Sequence, residues 1–241
     1  VDGHKVVVEL KNYGDEDKSP EGIVIQILGH INDPGVDILS IIKGYGLPEE
    51  FPEDVMKETA GIPYEVSPKE MAGRVDLRHL DTVTIDGEDA KDLDDAISLT
   101  KEGNLWHLGV HIADVSNYVK PGTELDNEAF SRATSVYYAD QVVPMLPKAL
   151  SNGICSLNEN ELRLAFSCLM RLDKEGNLTD YRFVKSIIRS RVKGVYSEIN
   201  ALLAGTADAE IKAKYADVID QLPAMKELLL PRQPVCILVV S

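Results

Sequence analysis

Cysteine is scarce. Cys155, Cys168 and Cys236 lie far apart, and no two stand at a metal-ligand or redox spacing. That excludes a disulfide-stapled scaffold, a zinc module and a dithiol oxidoreductase, and it fits a reducing compartment. Long apolar runs are missing too. Nothing approaches the roughly 20 residues that a membrane-spanning helix needs. The opening "VDGHKVVVEL" has neither the basic nor the apolar region of a signal peptide. A cytoplasmic protein without membrane attachment is expected. Glycine never gathers into a phosphate-cradling loop, so no nucleotide cofactor is expected. No repeat of fixed period is visible.

Positive charge is also in short supply. Lys and Arg number 25 against 40 Asp and Glu, a formal net charge of −15. This argues against coating nucleic acid by general attraction. A local groove is still allowed, because the local distribution of charge decides it. One acid-free stretch stands out, "YRFVKSIIRSRVKGVY", with Arg182, Lys185, Arg189, Arg191 and Lys193. On charge alone it reads as a solubilising strand edge.

What remains is an ordinary globular composition. The chain has 241 residues, of which 44% are apolar, enough for one large or two ordinary domains. It opens without Met and ends "LPRQPVCILVVS", so a piece of a longer protein is expected. Two β-branched runs, residues 4–13 and 21–29, predict antiparallel strands, and "DPGVDILSIIKGYGL" and "PEEFPEDVMKETAG" predict short helices. Composition shifts near Gly61–Pro63, which suggests a first domain over 1–70 and a second over 71–241. In the second, Thr82–Asp86 predicts a strand. Ala96–Leu99 and "LWHLGVHIADV" predict a hairpin with Trp106, Leu108, Val110 and Ile112 on one face. "PGTELDNEAFSRATSVYY" predicts a helix capped at Thr123, "LRLAFSCLMRLDKEGNLTDYRFVKSIIRS" predicts a second hairpin, and helices follow from about residue 195. The class is α+β.

One segment conflicts with its surroundings. "TIDGEDAKDLDDAISL" is strand-like at both ends, yet it carries Asp86, Asp89, Asp92, Asp94 and Asp95 with Glu88 among them. Carboxylates this dense repel unless something positive is shared. If residues 92–95 are extended, Asp92 and Asp94 share a face and Asp95 points away. The Gly87 turn can then bring Asp86 to face Asp92 and Asp94. An all-oxygen set selects Mg²⁺, Mn²⁺ or Ca²⁺, and a Mg²⁺ held by few carboxylates suits phosphoryl chemistry. The spacing does not match an EF-hand loop. A solvated acidic loop is the bland alternative, and the buried-looking Leu93 weighs against it.

Together "TIDGEDAKDLDDAISL", "HIADVSNYV", "RATSVYYADQVVPMLP" and "CSLNENELRLAFSCLMRLDKEG" resemble the ribonuclease II/ribonuclease R family, and within it the bacterial ribonuclease R branch. The likeness runs from about Arg74 to Leu203. "DPGVDILSIIKGYGLPEEFPEDV" is similar to the end of the cold-shock-type OB barrel that precedes the catalytic domain in that family. The residues after Leu230 do not resemble it. The implied fold is therefore a remnant of an OB β-barrel followed by the N-terminal part of an RNB catalytic domain.

The resemblance also implies a function. It is a metal-dependent 3′-to-5′ exoribonuclease acting on single-stranded RNA and releasing nucleoside 5′-monophosphates, with Mg²⁺ or Mn²⁺ as cofactor. Matching positions make Asp94 the critical catalytic acid and Asp86, Asp92 and Asp95 metal ligands. Tyr137 matches an aromatic that stacks on terminal nucleotides, and Tyr196 a tyrosine near the active site. From the residues alone, Tyr137 beside Tyr138 reads as a core aromatic at a helix end. Arg189 and Arg191 are candidates for phosphate contact. His107, His111 and Asp114 read as structural. The alternative is an RNA-binding piece without activity of its own.

Overall fold

The computed structural model describes residues 2–138 and 141–229. The first segment holds β1 (His4–Asn12) and β2 (Glu21–His30), an antiparallel ribbon in which His4 pairs with His30, and α1 (Val36–Gly44) packs against both strands. Val8, Leu10, Ile23, Val24, Ile25 and Ile27 on the ribbon are all exposed. Among the described residues this segment is a two-strand ribbon, not a closed barrel. Two short helices follow, α2 (Glu53–Ala60) and α3 (Pro68–Met71). The second is closed by a capping box between Ser67 and Glu70.

The remainder is built on one sheet that closes on itself. It comprises β3 (Val75–Asp76), β4 (Thr82–Asp86), β5 (Asp95–Glu102), β6 (Leu105–Ala113), β9 (Leu162–Leu172) and β10 (Leu178–Val195). Between them lie α4 (Glu124–Arg132) and the small ribbon β7 (Val136–Tyr138) with β8 (Gln141–Val143). Strand β10 is long enough to serve two partners. Its first part pairs antiparallel with β9, and Ser190–Val195 runs parallel to β4, with Val195 opposite Asp86. The ring β4–β5–β6–β9–β10 is thereby complete.

Mostly small side chains line the closed ring. The strand faces directed inward carry Ala96, Ser98, Gly109, Ala113, Ala165, Ser167 and Ser186 around the fully buried His111, with Ile188, Leu169 and Val184 as the larger apolar groups beside them. His111 bonds to Ser98 Oγ at 3.0 Å and Ser167 Oγ at 2.7 Å, and Ser167 bonds on to Ser186 at 2.6 Å. Burial holds the imidazole down to about 4, so it stays neutral. The outer face carries a larger apolar cluster. Val83, Leu99, Trp106, Leu108 and Leu172 meet Ile199, Tyr215, Val218, Leu222 and Met225 from α5 (Tyr196–Ala204), α7 (Gln221–Leu229) and the chain between them. The helix α6 (Ala209–Lys214) starts at an Asp208 cap in that stretch.

Two expectations change. The helix predicted through Tyr138 stops at Arg132, where Ala133 takes a φ of +64°. The guanidinium of Arg132 is held by the carbonyls of Pro48, Glu50 and Pro144, and Val136-Tyr-Tyr pairs as a strand instead. The Thr123 cap does form, accepting from the Asp126 N–H at 3.3 Å. The apolar face of β6 is covered at Trp106 and Leu108 but open at Ile112, and the opposite face is buried inside the ring. The tail with Cys236 lies outside the described residues.

Candidate carboxylate centre

Asp86 ends β4 and Asp95 opens β5. Leu93 fixes what lies between. Its side chain is 2% exposed, packed with Leu77, Ala96, Ala113, Leu157, Ala165 and Ile188. Consecutive carbonyls here accept from different neighbours, Leu93 O from Leu157 N at 2.8 Å and Asp94 O from Ala113 N at 2.9 Å. Alternating carbonyl directions are those of extended backbone, and Asp95 nonetheless lies close enough to Asp86 and Asp94 to raise both. Ser156, fully buried, stitches the same stretch by accepting from Leu93 N and donating to Lys91 O. Arg163 braces that support through the carbonyls of Gly153 and Ser156.

The four carboxylates act on one another. Asp86 is pushed up to about 6, first by loss of water and then by Asp95 and Asp92, with Lys193 opposing. Asp94 opens to solvent on one side but is walled in by protein on the others. This partial desolvation, then Asp92, Asp95 and Asp86, raises it to about 6. Asp95 is raised by burial. Among the described residues no three His, Cys, Asp or Glu side chains already gather tightly enough to hold a metal ion. The donor set nevertheless fits a hard divalent cation: it is all oxygen, and buried Asp86 Oδ2 has no hydrogen-bond partner.

Tyr137 joins this centre from β7. Its ring is 64% exposed and its hydroxyl donates to Asp92 Oδ2 at 2.5 Å. That bond, then lost hydration, raises the phenol to about 12. The core-aromatic reading is thus replaced by an exposed ring beside the acids. Tyr196 follows Val195, the partner of Asp86, and burial together with Asp86 and Asp95 raises it. Fully buried Tyr215 braces the turn, accepting from Val195 N at 2.8 Å and donating to Glu198 at 2.6 Å.

The basic strand is not brought to the acids as a row. Arg191 donates to Asp81 and to the Arg78 carbonyl, each at 3.2 Å. Lys185 lies 3.8 Å from Asp114, itself buried against Arg74. Arg189 is exposed, six positions before Val195 and so roughly 20 Å along the strand from Asp86. Lys193 is the cation that does reach the centre, and nothing in its spacing marked it apart from its neighbours.

Comparison with known proteins identifies the family. The RNB domain family matches residues 74–232 and the cold shock domain family residues 1–52. Ribonuclease R of Thermotoga maritima is 46% identical over 93% of this chain, which spans 32% of that relative's length. Two solved structures of Mycoplasma genitalium RNase R, one with double-stranded RNA and one with ribose-methylated single-stranded RNA, each superpose with a TM-score of 0.86. Each is 30% identical over 94% of this chain, which covers 40% and 35% of those chains. Behind a cold-shock segment, the chain belongs to the RNB domain family.

Proposed function

We propose that this chain carries the acidic end of a 3′-to-5′ exoribonuclease site that hydrolyses single-stranded RNA to nucleoside 5′-monophosphates in the cytoplasm. The observation that carries the reading is the convergence of Asp86, Asp92, Asp94 and Asp95 in an RNB domain. Asp86, Asp92 and Asp95 would hold Mg²⁺ or Mn²⁺, which when bound supplies charge neutralisation at the scissile phosphate. Asp94 orients the attacking water. The exposed Tyr137 ring offers a base a sequence-tolerant stacking surface, as a general degradative enzyme requires. Tyr196 borders the same space, and the exposed Arg189 would meet the RNA backbone further out. Arg191 remains a candidate phosphate contact only if RNA displaces Asp81.

The test uses the longer protein that contains this segment. Asp94→Asn keeps side-chain size and removes one negative charge, so RNA binding should hold or tighten slightly. Hydrolysis of a 5′-labelled oligoribonucleotide with Mg²⁺ should nearly vanish. A loss of activity below about tenfold, equivalent to about 1.4 kcal/mol, removes Asp94 from its role. A wild-type protein that binds the oligonucleotide but never shortens it selects the alternative of a non-catalytic RNA-binding protein.

A further inference from the structure

The loop of residues 87–91 joins Asp86 to the segment bearing Asp92, Asp94 and Asp95. It is mostly exposed and has one internal backbone bond, Ala90 N to Gly87 O at 3.2 Å. It is held from outside. The Lys193 ammonium donates to the carbonyl of Glu88 at 2.8 Å and to that of Ala90 at 2.7 Å. Among the described residues, neither carbonyl accepts from a backbone N–H. Lys193 is itself anchored: its Cα pairs with Thr84 on β4, and its N–H donates to Glu159 Oε2 at 3.1 Å. Half-buried and rooted in the closing strand, it ties the middle of this loop to β10.

We infer that Lys193 is a positioning residue, whose ammonium clasps the 87–91 loop by two carbonyls and so sets the separation of Asp86 from Asp92, Asp94 and Asp95. An ammonium, with three donors on a compact charge, suits a pair of carbonyls. Its charge also opposes the repulsion felt by Asp86. These two roles have opposite consequences for a cation. Charge alone predicts that removing the ammonium makes the cluster more negative and tightens cation binding. The clasp predicts that the loop loosens, the carboxylates drift apart, and binding weakens.

Lys193→Met, Lys193→Gln and Lys193→Arg in this chain decide between them, by amide hydrogen exchange over residues 88–92 and by Mn²⁺ titration followed by EPR. Methionine should raise exchange in the loop by about tenfold, leave the β5–β6 hairpin protected, and weaken Mn²⁺ binding. Arginine, able to reach the same carbonyls, should restore both. Unchanged loop exchange in Lys193→Met, or Mn²⁺ binding as tight as or tighter than wild type, overturns the inference. If the methionine variant loses hairpin protection, the glutamine variant takes its place under the same criteria. The Mn²⁺ arm rests on reading the carboxylates as a cation site. If the wild-type chain binds no Mn²⁺, that reading fails, and loop exchange alone judges the clasp.

Discussion

Single residues in the carboxylate centre are held against their own preference. The folded carboxyl of Asp94 lies near 6, against an ordinary 3.8. A raised folded value means that the native state binds the proton more tightly than the unfolded chain does. The contribution to stability is therefore complete below about 3.8 and disappears as pH rises through about 6. Asp94→Asn, uncharged throughout, should change the melting temperature little at pH 4 and raise it at pH 7, both in chelator. A mutant with the same offset at both values would remove the electrostatic account. Tyr137 separates into two functions, the ring and the hydroxyl that reaches Asp92. In the longer protein, Tyr137→Ala should leave a longer final product, since stacking a base contributes roughly 1–3 kcal/mol. Tyr137→Phe should keep the wild-type product. If alanine and wild type give the same smallest band on a gel, the stacking role is gone.

Among the elements, β10 decides the architecture, and Gly194 is its tightest point. A Cβ there would stand 2.3 Å from the Thr84 carbonyl oxygen and 3.1 Å from Ile199 Cδ1. Gly194→Ala must pry β10 from β4, a strain of about 1–3 kcal/mol by the usual measure of overpacking. Chemical denaturation should show that loss, and an unshifted midpoint would contradict the close approach. Much of the element order was legible. The β-branched runs, the turn glycines and the Thr123 cap are local signals, and the two hairpins pair residues near in sequence. The parallel register of β10 on β4 was not legible, because Ser190 meets Thr82 from far along the chain and no local pattern encodes that meeting. Val136–Tyr138 was misread because a capped helix leads into it, and only tertiary bonds to Arg132 stop that helix. The acids themselves were legible as a cluster. Their mutual placement was not, since the segment at Leu93–Asp94 is held by backbone bonds from Ala113 and from the distant Leu157.

Over the whole molecule, a net charge of −15 sets how any polyanion is met. Attraction must come from a few uncompensated cations, and most members of the basic strand are already engaged inside the fold. Arg189→Ala should therefore weaken binding of unrelated RNA sequences about equally and flatten the dependence of log Kd on log salt. Arg191→Ala should leave that slope nearly unchanged and lower the melting temperature through loss of its bonds to Asp81 and Arg78. Equal slopes for wild type and Arg189→Ala across a salt series would remove Arg189 as a phosphate contact.

The ring closed by β10 also orders events in time. During synthesis the β5–β6 hairpin can form as soon as it emerges, and β9 can pair with β6 before its own hairpin is complete. Asp86 has no such early home. Its strand meets β5 at only the Val83–Ile97 pair and is otherwise received by Ser190–Val195. Pairings this distant in sequence form late, because the intervening chain must first be drawn in. A ribosome-bound chain short of Val195 thus holds its acids on unjoined pieces. The centre comes together only after the last strand of the ring is made.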